Sequence, residues 1–164
     1  MRKNTKPRFS IFLPVQNGWP YIKSAVKSVL NQTYENFELL ILDNDSTDGT
    51  REWCEKIDDP RIKIFSSAIA LNIEDSWGRI LDFDKCEFIT MFAHDDILYP
   101  DFLYEIAQLI KKFPTAGLYQ TNGELINKSG SLIRPCIEIG ELESARDYLI
   151  ARFSGVRDVF GTGY

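Results

Sequence analysis

Three observations predict an α/β fold with a mostly parallel sheet and helices on both faces. Short apolar runs bounded by proline or polar clusters alternate with segments of helical period. Those runs are almost continuously apolar, as strands covered on both faces are. The chain has 164 residues, 44% hydrophobic and 26% charged, which fits one ordinary domain with a sizeable core.

The elements follow in order. Phe9-Ser-Ile-Phe-Leu-Pro14 is an apolar run stopped by proline and reads as the first strand. In Gly18–Leu30, Ile22, Ala25, Val26, Val29 and Leu30 recur at helical spacing, with Pro20 expected in the first helical turn. Phe37-Glu-Leu-Leu-Ile-Leu42 is the second buried strand. The polar stretch Asp43–Gly49 is a loop, with Ser46 or Thr47 expected to cap a helix over Asp48–Ile57. Asp59-Pro60 marks a turn, and Arg61–Phe65 alternates like a strand nearer an edge. A helix is expected over Glu74–Phe83 with Trp77, Ile80 and Leu81 inward. Glu87–Phe92 is the fourth strand. Asp101 is expected to cap a helix to Phe113, with Phe102, Ile106, Leu109 and Ile110 as its stripe. Ala116–Thr121 reads as a fifth strand, Gly123–Arg134 as a hairpin and Glu141–Phe153 as a helix.

Composition narrows the partners. The net charge is −5, against the basic field that broad contact with nucleic acid or an anionic membrane needs. No apolar run approaches the roughly 20 residues of a membrane span, and Met1–Arg8 leads into too short an apolar stretch for a secretory signal. Residues 1–8 read as a flexible, solvated leader. The cysteines 54, 86 and 136 are odd in number and form no CxxC pair, which suggests free thiols in a reducing, cytoplasmic compartment.

Ligands of parallel sheets bind beyond the carboxyl ends of the strands, so three segments stand out. Ala93-His94-Asp95-Asp96 follows the fourth strand. Two adjacent carboxylates repel each other, and a cation relieves that repulsion. Their oxygens suit Mg²⁺ or Mn²⁺, hard ions that share their shell with phosphates. The alternative is a polar turn ahead of the Asp101 helix. His94, the only histidine, contacts a nucleotide sugar or a metal, or simply satisfies local hydrogen bonds. Asp43, at the edge of the second strand, can accept an imide N–H of a base or a ribose hydroxyl; Asx-turns and a helix cap explain the residues after it. Pro14-Val15-Gln16-Asn17-Gly18 is a turn able to wrap a base, although most strand–helix turns look alike. Arg79 can clamp a diphosphate or pair on the surface with Glu74, Asp75 or Asp82.

Absent patterns exclude other classes. There is no G-x-G-x-x-G after the first strand and no phosphate-loop G-x-x-x-x-G-K-S/T. There is no G-x-S-x-G elbow, and one histidine does not favour a Ser-His-Asp triad.

Taken together, the strand-end segments resemble glycosyltransferase family 2, of Rossmann-like GT-A fold, over Phe9 to Gln120. Phe9–Gly18 is similar to the family's opening strand and P-x-Y-N-G turn. Ser28-Val-Leu-Asn-Gln-Thr-Tyr-Glu-Asn-Phe-Glu-Leu39 is similar to its S-I/V-L-x-Q-T-Y/F-x-N-F/W-E-I/L stretch. Asp43–Thr50 resembles its D-D/N-x-S-x-D-x-S/T loop, and Phe92–Pro100 its D-x-D-D-x-x-x-P segment.

The resemblance implies metal-dependent transfer of a sugar, with inversion, from a nucleotide diphosphate donor to the hydroxyl of a saccharide or other acceptor, in polysaccharide biosynthesis. It implies nucleotide contacts from Pro14, Val15, Gln16 and Asp43, with His94 left to meet the ribose; Asn17 of the first turn and Arg79 join them as candidate nucleotide-binding residues from the residue reading above. It implies Mg²⁺ or Mn²⁺ on Asp95, with Asp96 as the alternative ligand. Two departures stand out. The usual tyrosine of the first turn is Gln16, and the first aspartate of D-x-D is Ala93. By the same resemblance, residues 9–121 form the nucleotide-sugar-binding domain. Residues 122–164 then begin an acceptor-side segment, truncated at its C-terminal end. The family's general base lies in a later segment, and Asp158 is the one tail carboxylate that could take that role. A non-catalytic binding or assembly module is the alternative reading, and a nucleotidyltransferase a weaker one because Val15–Gly18 lacks a glycine-rich basic turn.

Overall fold

The computed structural model describes residues 6–158. They fall into two units, 6–119 and 120–158.

The first unit is built on a four-stranded parallel sheet of order β3-β2-β1-β4. The strands are β1 (Phe9–Val15), β2 (Phe37–Asp43), β3 (Ile62–Ser66) and β4 (Phe88–Met91). Every residue of β1 and β2 is buried, as expected of central strands covered on both faces. Alternation divides their side chains between two cores. Phe9, Ile11, Leu13 and Val15, with Phe37, Leu39 and Ile41, face the larger one. α1 (Ile22–Leu30) and α4 (Phe102–Lys112) cover it through Ile22, Ala25, Val26, Val29, Leu103, Ile106, Ala107 and Ile110. α2 (Thr50–Cys54) adds Cys54. Each fully buried Leu, Ile or Phe there contributes roughly 1.5–3 kcal/mol of transfer energy. Phe12, Leu40 and Leu42 face a smaller core closed by Ile80, with Phe65, Phe83 and Met91 packed around it.

The structure corrects several expectations. The helix predicted over Glu74–Phe83 is broken into α3 (Ile73–Gly78) and a 3₁₀ turn (Arg79–Asp82). Of its three expected inward residues only Ile80 is buried; Trp77 is 36% exposed and Leu81 79%. The core on that face is narrow, and Phe83, extended beyond the turn, fills it by stacking 4.4 Å from Phe65. Ala116–Thr121 forms no strand: Tyr119 instead packs its ring on Phe88 and donates its hydroxyl to the Phe113 carbonyl. Pro20 lies in the turn before α1, not in its first turn. The end of the predicted leader is tied down, because the Pro7 carbonyl accepts from the Tyr34 hydroxyl and the Asn36 amide. Residues 1–5 of that leader lie outside the described residues.

The second unit holds the hairpin β5 (Glu124–Ile126) and β6 (Leu132–Pro135), antiparallel with one irregularity at Leu125/Ile126, followed by α5 (Ala145–Phe153). Ser144 caps α5 by accepting the Asp147 N–H, so the helix starts later than the predicted Glu141. Among the described residues no helix is long and apolar enough to cross a membrane.

Candidate functional site

The register of the sheet collects three loops at its carboxyl edge. Val15, Asp43 and Ser66 lie side by side at the ends of β1, β2 and β3. The chain leaving β4 continues along β1, with the Phe92 N–H donating to the Phe12 carbonyl at 2.8 Å.

Side chains lace the first two loops together. Three successive N–H groups of the first turn donate to the second loop: Asn17 to Ser46 Oγ at 2.9 Å, Gly18 to Thr50 Oγ1 at 3.0 Å and Trp19 to Asp48 Oδ2 at 2.9 Å. Asn17 returns the contact, its Oδ1 accepting the Thr47 N–H at 2.9 Å. Asn17 and Asp45 both adopt positive φ, 52° and 55°, a conformation that short polar side chains tolerate. Neither Ser46 nor Thr47 caps α2, because both serve the first turn. Gly49 occupies the cap position, and Asp48 before it accepts the Thr50 N–H at 3.0 Å. Burial pushes the Asp48 carboxyl up, but the bonds from Thr50 and Trp19 outweigh it and hold it below the usual range.

Asp43 is completely buried. Its Oδ2 accepts from Arg51 Nε at 2.9 Å and from the Ser46 N–H at 3.4 Å. Its Oδ1 has no hydrogen-bond partner among the described residues. Arg51 also donates from Nη2 to the Ser67 carbonyl at 2.9 Å and reaches Asp45 Oδ1 at 3.5 Å, and its bond to Asp43 raises its own pKa. Beneath them, burial and then the charges of Asp43 and Glu55 push the Cys54 thiol up to about 12, leaving it inert. Asn44 fastens the loop after β3, its side chain exchanging two hydrogen bonds with the Leu71 backbone.

The other expected nucleotide residues fall as follows. Pro14 and Val15 are buried and Gln16 is exposed. Arg79 neither pairs with Glu74, Asp75 or Asp82 nor offers a free fork. Its Nη1 donates to the Asp43 carbonyl and its Nη2 to the Phe65 carbonyl, both at 2.9 Å. It therefore ties the ends of β2 and β3 together. His94 sits against the first turn: a Cβ on Gly18 would lie 3.1 Å from His94 Cδ2 and 2.6 Å from Val15 Cγ2. Only glycine allows that approach.

His94 and Asp95 form a turn, with the Asp96 N–H donating to the Ala93 carbonyl at 3.3 Å. Asp95 is exposed and Asp96 half-buried. Burial, and then the Asp95 charge, raise the Asp96 pKa, with His94 opposing. Among the described residues no three His, Cys, Asp or Glu side chains cluster as a closed metal cage. Asp95 and Asp96 supply carboxylate oxygens, the donor type that hard cations such as Mg²⁺ take alongside water.

The chain after this turn, Leu98–Leu103, is held by Ser28 of α1 and by Gln32 and Thr33 just beyond it. Gln32 Nε2 donates to the Tyr99 carbonyl at 2.6 Å while Oε1 accepts the Leu103 N–H at 2.9 Å. Ser28 Oγ accepts the Leu98 N–H at 3.1 Å, and the Thr33 N–H donates to the Pro100 carbonyl at 2.8 Å. Gln32 thus meets a first-turn donor of α4, where Asp101, expected as the cap, makes no capping hydrogen bond.

In the second unit both oxygens of Asp158 are taken. They accept from Arg134 Nη1 at 3.0 Å and Nη2 at 2.6 Å, and Oδ2 also from the Ile137 N–H at 2.8 Å. Arg134 and then the Ile137 N–H lower its pKa to about 2. Three hydrogen bonds thus hold the Asp158 carboxylate within the second unit.

Sequence reading missed Arg51, Asn44, Asp48 and Thr50 as builders of the site. Arg51 follows the loop by one residue and has no motif of its own. The profile of Glycosyl transferase family 2 matches residues 10–149. This chain belongs to glycosyl transferase family 2. A relative in this family is the Escherichia coli UDP-Glc:alpha-D-GlcNAc-diphosphoundecaprenol beta-1,3-glucosyltransferase WfgD, 32% identical over 129 residues, 77% of this chain and 51% of WfgD. The fold is that of S. aureus TarS 1-349 in complex with UDP (TM-score 0.61, 21% identity, 73% of this chain and 41% of TarS 1-349). It is also that of the Pyrobaculum calidifontis mannosyltransferase PcManGT in complex with GDP-Man and Mn²⁺ (TM-score 0.58, 23% identity, 70% of this chain and 35% of the other). The chain thus spans about half the length of WfgD and less of the two solved structures. In this family 2 chain, the Ser28–Thr33 stretch that carries part of the resemblance staples the loop following β4.

Proposed function

We propose that this chain binds a nucleotide diphosphate sugar at the carboxyl edge of its sheet, as the donor side of an inverting, metal-dependent glycosyltransferase. The observation that carries this reading is Asp43: a buried carboxylate with one oxygen anchored and one left without a donor, flanked by two interlaced loops. A buried acceptor left unmatched costs about 1–3 kcal/mol, and a base N–H would remove that cost. UDP and GDP-Man in the related structures support a nucleotide donor, and Mn²⁺ in one of them supports a divalent ion.

Asp95, with Asp96 beside it, would hold Mg²⁺ or Mn²⁺. When bound, that ion neutralises charge on the leaving diphosphate. The chain's own residues position the donor: the Asn17–Trp19 turn and Asp43 hold the nucleoside end, and the Ser28–Gln32 staple anchors the chain that follows the carboxylates, at Leu98, Tyr99 and Leu103. In the transfer, an acceptor hydroxyl attacks the anomeric carbon, the bond to the diphosphate oxygen breaks, and a base takes the hydroxyl proton. Asp158 is bound to Arg134 and the Ile137 N–H, and donor binding with little or no transfer is the activity proposed for these residues by themselves. Acceptors such as the lipid-linked saccharide in WfgD's name fit the hydroxyl requirement. The three free cysteines support a cytoplasmic setting.

A thermal-shift panel of UDP, dTDP, GDP and their sugars with Mn²⁺ tests this. Ligand at 100 times its Kd should add about 2.7 kcal/mol of stability. No shift with any member would favour a binding or assembly module with another ligand.

A further inference from the structure

Resting on that reading, we infer that Arg51 makes the site selective for a uracil-type base, uracil or thymine, over guanine. The two oxygens of Asp43 are not equivalent. Oδ2 is committed to Arg51 Nε at 2.9 Å and to the Ser46 N–H at 3.4 Å, whereas Oδ1 has no partner among the described residues. The carboxylate therefore offers a base one acceptor, not two.

Guanine presents two adjacent donors, N1–H and N2–H₂, which match a carboxylate with both oxygens free. Here, with the amino group on the Oδ2 side, the second donor would meet a guanidinium, which carries donors only; turned over, the amino group would find no second acceptor on Asp43. Uracil and thymine present a single N3–H between two carbonyls. The N–H matches Oδ1, and a flanking carbonyl tolerates the nearby cation. Cytosine turns a lone pair at N3 toward Oδ1, which repels it.

Arg51 cannot readily swing aside to free Oδ2. Its Nη2 is bonded to the Ser67 carbonyl at 2.9 Å and approaches Asp45 Oδ1 at 3.5 Å, so three groups from two loops fix its plane. Oδ1 itself is sealed from solvent, so a base reaches it only as the covering residues give way. An N–H that satisfies the buried oxygen offsets that movement, and a base without a matching N–H does not.

The test is calorimetric titration of the chain with UDP, dTDP, CDP and GDP at fixed Mg²⁺, on the wild type and on Arg51→Met, which keeps the aliphatic stem. The wild type should bind UDP and dTDP at least about tenfold more tightly than GDP and CDP, as sites that leave a polar group mismatched reject ligands. Arg51→Met should weaken UDP and bring the UDP-to-GDP ratio toward one. Equal or tighter binding of GDP by the wild type, or an unchanged ratio in the variant, overturns the inference while leaving nucleotide binding intact. Absence of binding by any of the four to folded wild type overturns both this and the reading beneath it. Should Arg51→Met fail to fold by circular dichroism, Arg51→Gln takes its place in the same titrations, and an unchanged UDP-to-GDP ratio in that variant overturns the inference.

Discussion

Trp19 donates its backbone N–H to Asp48 Oδ2 at 2.9 Å, while the other oxygen of Asp48 accepts the N–H of Thr50. One carboxylate thus closes the first turn and starts α2 at once. Asp48→Ala removes the acceptor of both N–H groups and should destabilise the fold by about 1 kcal/mol, the usual net worth of an intramolecular hydrogen bond. Urea midpoints measure this. Asp48→Asn keeps an acceptor for one of the two donors and should recover part of the loss; equal damage from both variants would mean that charge, not hydrogen bonding, is what matters.

The Asp95 side chain is exposed. Asp95→Ala should therefore leave the urea midpoint within about 0.5 kcal/mol of wild type. Calorimetric UDP affinity measured with Mn²⁺ should fall by about tenfold or more, a difference of about 1.4 kcal/mol. Unchanged affinity would move the cation elsewhere.

Gln32→Ala should be costly for a polar-to-apolar change. It removes the acceptor of the Leu103 N–H and the donor to the Tyr99 carbonyl. Leu103 is buried, so the lost partner is not replaced by water, and a loss of about 1–3 kcal/mol is expected. Hydrogen exchange should quicken at the start of α4 and not in β1. Uniform quickening would show that the effect is global.

Glu38 sets a pH dependence at the opposite end of the sheet. Burial alone would raise its pKa. Lys63, Ser10 and Cys86 all donate to it and outweigh that, so the folded value lies below the ordinary 4.5. A depressed carboxylate contributes stability that is complete above the unfolded value and fades as pH falls through the folded one. The stability gap between wild type and Glu38→Gln should therefore be constant from pH 7 to about 5 and shrink below about 4.5. Urea titrations at pH 7, about 5 and about 3.5 test it, and a gap that widens with acid would mean that the folded pKa is raised.

Much of this was legible in the sequence because burial and period coincide there. β1 and β2 are apolar on both faces, and both faces are covered. The three loops could be placed at one edge because parallel strands all end there. Legibility failed where one residue serves a distant one. Ser46 has the composition of a cap, but the Asn17 N–H claims its hydroxyl from 29 residues away. Trp77 and Leu81 have the period of a core stripe, but the sheet's second face is too narrow to receive them. Arg79 has the chemistry of a phosphate clamp, but two strand-end carbonyls compete for its fork. Asp158 looks available in the sequence and is fully engaged in the fold.

The Gln32 staple also bears on the order in which the protein matures. Its partner Tyr99 lies 67 residues further along, so the contact closes a long stretch of chain and arrives only once α1 and α4 have both docked. A refolding chain should regain sheet signal before it regains the ability to hold a nucleotide, and the lag between the two clocks the docking of those helices.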